Sequence, residues 1–485
     1  MLWYSIRGSK NRKTCRHGTV VFYSLMGVFL WQKFRLAPLA RFFSRSHHSF
    51  IISIYRKREE LLMKEQRKII QVDERVPLAM GIPLSIQHTF AMFSASVLVP
   101  WLLGINPAIV LLMNGIGTLI FMLLTKGKAP AYLGSSFAFL SPTFLILANP
   151  DMDYSYALGG FVISGLLFCA VAGVVKLVGT SWIDVLLPPA AMGPIVALIG
   201  LELAGSAAGN AGLILTEEYT AINPKFVVVF AVTLLVAVFG QVLLKGFLAA
   251  ISILISICTG YVMSLALGLV DFTAVSKASI FALPNFQFPV FNLSAIVIII
   301  PATLVVISEH IGHQVVTSEI VGKDLLKDPG LHRSLLGDGL STTLSGLLGA
   351  VPTTTYGENI GVMAVTRVYS VRVIGGAAIF SILLAFIGKA SGLIQTIPAP
   401  VMGGVSFLLY GMIAASGLRL LVDKKVDYSR GRNLALSAVV FVTGLSGAFI
   451  QIGEVKLTGM CLATIVGIVL SLIFYLIDKA GLSND

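Results

Sequence analysis

Charge is scarce in this chain: Asp, Glu, Lys and Arg make up 12% of its 485 residues, against roughly 25% in soluble domains. A soluble fold of this length could not cover its surface with so few charges. Cysteine is scarcer still. Cys15, Cys169, Cys258 and Cys461 share no metal-binding or redox spacing, which excludes a disulfide scaffold. Beyond residue 63 the histidines are only His88, His310, His313 and His332. No GxxxxGK[ST] loop is present, so ATP-driven pumping has no support within the chain. Hydrophobic residues, by contrast, reach 56%, and mean hydropathy is +0.89. The class that remains is a polytopic membrane protein.

The net charge of +12 is unevenly spread. Residues 1–62 hold 12 Lys/Arg and 2 Asp/Glu, a net of +10, whereas the remainder holds 23 and 21, a net of +2. The basic character therefore belongs to the first segment and implies no nucleic-acid partner. Within it, thirteen apolar residues from Thr19 to Trp31 lie between basic clusters, short of the roughly 20 that a spanning helix needs. They suit a signal-peptide core with a poor cleavage site at Ala37/Ala40, or a stretch upstream of a true start at Met63. Residues 1–62 are expected to be a basic N-terminal extension, disordered or a start-site artefact, with no function.

From residue 80 onward, long apolar runs alternate with short polar breaks. Spanning segments are expected to start near residues 82, 106, 131, 155, 186, 225, 246, 294, 334, 353, 373, 398, 433 and 456, fourteen in all. Lys/Arg placement provides an independent check, because cytoplasmic connections carry the excess. With Met63–Arg75 cytoplasmic, fifteen later Lys/Arg fall on that side and only Lys225, Lys277, Lys389 and Lys456 on the other. Both termini are then cytoplasmic.

Segments three and ten are poor helices. The third begins Ala129-Pro130-Ala131-Tyr132-Leu133-Gly134-Ser135-Ser136-Phe137, and the tenth Val351-Pro352-Thr353-Thr354-Thr355-Tyr356-Gly357-Glu358. Threonine runs favour extended backbone, and glycine weakens helix. Each reads as a short strand leading into a half-helix, tolerable at membrane depth only where protein or a watery cavity satisfies the backbone. Their separation by seven segments fits two inverted seven-span repeats with broken segments meeting at a midplane site. The alternative is that Pro and Gly merely kink ordinary helices.

Almost every acidic residue after position 63 is assigned to a loop, with Glu202, Glu309 and Glu358 as the exceptions. Carboxylates within the membrane are costly and are functional candidates by default. Glu202, near a segment end, reads as structural. Glu309 and His313 are i,i+4 and share a helix face, while His310 projects elsewhere. A carboxylate beside a histidine, which titrates near physiological pH, is a candidate proton-handling pair; the alternative is a satisfied polar patch between helices. Glu358 stands at a strand-to-helix junction, where free N–H groups and a partial positive charge are expected. It either caps the half-helix or accepts N–H bonds from a small planar ligand whose carbonyls meet backbone N–H groups. Glu309, His310, His313 and Glu319 also form a loose acid/histidine cluster, but di-iron membrane enzymes need several His-rich boxes, so no metal is expected.

Four stretches carry a resemblance: Gln87-His88-Thr89-Phe90-Ala91-Met92-Phe93, Pro130–Phe137, Glu309-His310-Ile311-Gly312-His313, and Glu358-Asn359-Ile360-Gly361 through Thr366-Arg367. Together they resemble the nucleobase–ascorbate transporter family, from about Pro77 to Ile477. The last matches that family's signature of Glu or Gln, Asn, x, Gly, four residues, Thr and Arg/Lys. Glu before the Asn resembles the uracil-carrying branch. The resemblance implies an all-α membrane protein of fourteen segments in two inverted seven-span repeats. It implies a core domain over residues 79–180 and 294–392, and a gate domain over 181–293 and 398–478. It further implies uracil import with protons across the cytoplasmic membrane by elevator-like alternating access, by a homodimer that is no enzyme and needs no cofactor. Carried over by position, Glu309, Glu358, Phe137, Gly357 and Tyr356 would bind the base, and Glu309 with His313 would couple protons. A purine-base or broader pyrimidine carrier is the alternative. An anion transporter of the same fold is a further one, although a carboxylate at Glu358 would repel its substrate.

Overall fold

The computed structural model describes residues 69–215, 221–452 and 455–483; the extension expected over residues 1–62 lies outside the described residues. Helix α1 (Leu78–Leu102) and α2 (Pro107–Leu124) lead into strand β1 (Leu133–Ser135), a 3-10 turn at Phe137–Phe139 and the short α3 (Leu140–Leu147). Then come α4 (Tyr154–Val178), α5 (Pro189–Glu202), α6 (Pro224–Leu243), α7 (Ser252–Ala266) and α8 (Leu293–Val321). Helix α9 (Leu331–Leu348) precedes β2 (Thr353–Thr355), which runs into α10 (Gly357–Thr366). The chain continues through α11 (Val371–Ala385), α12 (Ala399–Asp423), α13 (Gly431–Leu445), the hairpin β3 (Phe449–Ile452) and β4 (Val455–Thr458), and α14 (Gly459–Lys479).

Among the described residues, eight stretches are long and apolar enough to cross a membrane: α1, α2, α4, Pro189–Asn210, α6, α8, α12 and α14. Phe137–Leu147, α7, α11 and α13 are shorter apolar helices. The molecule is therefore a mostly helical, multi-pass membrane protein with few strands. The β3–β4 pair was not anticipated, since the apolar run there reads as the start of a span at residue 456. Its β-branched Ile450 and Thr458 favour the extended pairing instead, and α14 begins three residues later than expected.

Several helices start on a side-chain cap. Asn106 accepts the Ala108 N–H at 2.9 Å with Pro107 at N1, Asp153 accepts that of Ser155 at 2.9 Å, Asn223 that of Lys225 at 3.0 Å, and Asn292 that of Ala295 at 3.2 Å. Packing rests on small residues, as it must where lipid supplies no hydrophobic drive between helices. A Cβ added to Gly165 of α4 would stand 2.4 Å from the Thr343 nitrogen and 2.6 Å from the Gly339 carbonyl of α9. On α12, a Cβ at Gly417 would lie 2.4 Å from the Ala197 nitrogen of α5. Helices α1, α2, α4, α9 and α11 pack chiefly on one another, as do α5, α6, α7, α12, α13 and α14. Helix α8 touches both groups, meeting α4 and, through the Cys461 thiol and the Ile298 carbonyl at 3.5 Å, α14.

Before α1, Ile70 bridges Val368 in parallel, and Lys323 Nζ bonds Asp73 Oδ1 at 3.0 Å. That bond holds the Asp73 carboxyl below the usual carboxylate range, so the tie is present near neutrality and fades as pH falls through the lowered value. Both partners are solvated, and the tie contributes little.

Candidate functional site

The two broken segments meet. β1 and β2 pair antiparallel with Leu133 opposite Thr355, Gly134 opposite Thr354 and Ser135 opposite Thr353. Main-chain bonds extend the pair at both ends, from Tyr356 N–H to the Tyr132 carbonyl at 3.2 Å and from Ser136 N–H to the Pro352 carbonyl at 3.0 Å. These residues are strands and not kinked helix because consecutive threonines, a glycine and two prolines weaken every helical alternative. Neighbouring side chains satisfy the remaining edge: Thr118 Oγ1 accepts the Leu133 N–H at 2.9 Å, and Thr342 Oγ1 donates to the Thr353 carbonyl at 2.9 Å. Each strand then runs into a half-helix. Tyr356 precedes α10 without a side-chain cap, so first-turn N–H groups are left for other partners.

Four of the expected residues converge at that junction. Glu309 Oε1 lies 4.0 Å from His313 Nε2, and their side chains are 30% and 21% exposed, so neither is sealed in packed protein. A Cβ built on Gly357 would stand 3.3 Å from the same His313 Nε2. Glu358 follows in the first turn of α10, half-buried, close enough to Glu309 for the two carboxyl groups to interact. Phe137, half-buried at the start of the other half-helix, meets the ring of Tyr410 on α12 edge-on at 6.5 Å. Two carboxylates, an imidazole and the first-turn main-chain N–H groups of α10 stand together here, a set that can accept N–H groups and donate to carbonyl oxygens.

Tyr356 is buried. Its ring lies on the main chain of Gly134, where an added Cβ would be 2.0 Å from Tyr356 Cζ. Gly134→Ala is therefore expected to force the ring off β1 and destabilise the protein by about 1–3 kcal/mol. Thermal unfolding in detergent, read beside Gly173→Ala, which has nothing within 4 Å of its added Cβ, checks this; equal midpoints would contradict the close approach.

Asp338 requires a correction to the assignment of acidic residues. It is not in a loop but on α9, with no exposed surface, and its Oδ2 lies 2.8 Å from His310 Nδ1 and accepts from Thr354 Oγ1 at 3.0 Å. His310 Nε2 meets Ser334 Oγ at 3.0 Å. His310 thus projects away from Glu309, as the helix geometry predicts, into a buried network joining α8, α9 and β2. Glu202 Oε2 accepts the Met460 N–H at 3.1 Å and caps α14, in keeping with its structural reading. The signature residues divide their work. Asn359 Oδ1 accepts the Tyr132 N–H at 3.2 Å, and its Nδ2 lies 3.4 Å from His88 Nδ1. At the other end, Arg367 closes α10 in the left-handed conformation and its carbonyl accepts the Ile70 N–H at 3.0 Å.

Residues 80–453 match a family described as "Permease family". The chain is 60% identical over 412 residues to the uracil permease of Escherichia coli (strain K12), covering 85% of this chain and 95% of that one. It is 57% identical over 421 residues to the uracil permease of Paenibacillus larvae subsp. larvae, covering 86% and 99%. Among solved structures, the transmembrane domain of a cyanobacterium bicarbonate transporter, BicA, superposes with a TM-score of 0.57 at 15% identity, covering 84% of this chain and 99% of that one. At that identity the likeness is one of fold alone.

Proposed function

The chain belongs to the nucleobase–ascorbate transporter family, and from that membership we propose that it is a secondary active transporter importing uracil with protons. The observation that carries the reading is the convergence of Glu309, His313, Gly357 and Glu358 on one opening at the β2–α10 junction. Uracil displays N–H and C=O groups in alternation along one edge. Glu358 accepts its N–H, main-chain donors at Gly357 and Phe137 meet its carbonyls, and Tyr356 shapes the floor beneath. Glu309 carries the coupled proton with His313 beside it. Protonation from outside favours loading, because it removes the repulsion between the two carboxylates; proton loss to the cytoplasm weakens binding.

The movement we propose is elevator-like. The helices of residues 79–180 and 294–392 form a core that carries the site, and those of 181–293 and 398–478 a gate, a division supported by how the two groups pack. Fourteen segments in two inverted seven-span repeats, a homodimer, and a cytoplasmic-membrane location with both termini inside complete the proposal. An anion substrate is disfavoured by the charge of Glu358.

Labelled uracil uptake into proteoliposomes tests this, with and without an inward proton gradient. Accumulation is expected only with the gradient. Gradient-independent accumulation would remove the coupling, and competition by unlabelled purine bases as strong as by uracil would replace uracil with the broader carrier.

A further inference from the structure

His313 reaches the site with one ring nitrogen and β2 with the other. Nδ1 lies 3.1 Å from Thr355 Oγ1, while Nε2 is 4.0 Å from Glu309 Oε1. The register of the strand pair determines what else Nδ1 meets. Antiparallel pairs alternate between those that exchange main-chain bonds and those that do not. The bonds from Tyr356 to Tyr132 and from Ser136 to Pro352 put Gly134–Thr354 in the first class and Leu133–Thr355 and Ser135–Thr353 in the second. Peptide groups of the second class point away from the partner strand. The outward Thr353 carbonyl is taken by Thr342 and the outward Leu133 N–H by Thr118. The outward Thr355 carbonyl is left on the edge where the hydroxyl of the same residue already meets His313 Nδ1. The hydroxyl can donate or accept, but a carbonyl oxygen can only accept, so the pair together favours a nitrogen that carries hydrogen.

We propose that Thr355 is a positioning residue for proton coupling: its hydroxyl and main-chain carbonyl hold His313 in the tautomer with hydrogen on Nδ1, leaving the Nε2 lone pair aimed at Glu309 and the site. This deepens the proton-coupled reading above and rests on it. A neutral ring so held cannot donate to the Glu309 carboxylate; it accepts from the protonated acid. In that step the Glu309 O–H bond breaks and an Nε2–H bond forms, giving carboxylate and imidazolium. A separation of 4.0 Å exceeds a hydrogen bond, so transfer waits on rotation of Glu309 or on a bridging water. Beside the ring stand Glu309 and His310 on α8; the titratable groups that act on Glu309 in turn are Asp338 on α9 and Glu358 on α10, with Tyr356 next to Glu358, and the strand residues of β1 and β2 themselves contribute none.

The tautomer is read directly by nitrogen NMR of the full chain labelled at histidine, with the His313 resonances identified by their loss in His313→Gln. Neutral His313 is expected to show a protonated Nδ1 and a bare Nε2; hydrogen on Nε2 overturns the proposal, whether or not uracil is the substrate. Uptake across a range of external pH gives the second readout. Thr355→Val removes the hydroxyl at constant shape and is expected to lower uptake about threefold to tenfold, the worth of one hydrogen bond, and to displace the pH profile. Thr355→Ser is expected to restore both. An unchanged profile in Thr355→Val, or equal losses in the two variants, would reduce Thr355 to a packing residue and overturn the assignment.

Discussion

Glu358→Gln is expected to abolish concentrative uracil uptake while leaving the protein folded. The carboxylate sits in the first turn of α10, whose N-terminus has no side-chain cap, and it offers a ligand N–H only acceptor oxygens. An amide of the same shape presents N–H groups in half of its orientations and carries no charge. Hydrogen bonds to a charged group contribute about 1.5–3 kcal/mol, so uracil affinity should fall roughly 10- to 150-fold. Stability should not fall with it, because an amide of the same shape removes a half-buried charge without opening a cavity. Equilibrium binding of labelled uracil and thermal unfolding of the same sample separate the two effects. An affinity within about twofold of the parent, less than the loss of one ordinary hydrogen bond, would remove Glu358 from the site.

Asp338→Ala should produce the largest loss of stability. His310, Asp338 and Thr354 are all within 3% of full burial, and the single oxygen Oδ2 serves both His310 and Thr354. Removing it strands an imidazole and a hydroxyl together, and breaking such a buried pair costs about 3–5 kcal/mol. Asp338→Asn is a sharper control. Its amide oxygen can replace Oδ2, and its amide nitrogen would take the place of Oδ1, which has no protein partner, so less than half of the alanine loss is expected. Denaturant or thermal unfolding in detergent measures both. An alanine variant as stable as the parent would mean that this network does not hold α8 to α9 and β2.

The site was legible in pieces. The threonine run and the proline of segment ten announce extended backbone, and the i,i+4 spacing of Glu309 and His313 announces a shared face, because strand preference and helical periodicity act within a few residues. Asp338 escaped because nothing nearby marks it: Gly337 and Gly339 flank it, and its partner His310 lies 28 residues away. The contact of Asn359 with His88 spans 271 residues, so their membership of recognisable motifs could not reveal that they meet. Gly134 reads from the sequence as a helix breaker. Its further role as the surface on which the Tyr356 ring rests depends on a strand from the other half of the chain.

The order of apolar runs and basic connections by itself determined that this is a membrane protein of many helices with two interrupted segments. Lipid offers backbone groups no partners, so each stretch must satisfy its own, and composition along the chain is enough to say where it can. Which carboxylate is partly exposed, which is sealed in a network, and which nitrogen of His313 looks toward Glu309 were decided only by tertiary structure. Those outcomes depend on where two distant strands pair and in which register, and a hydrogen bond between remote residues leaves no local trace in either.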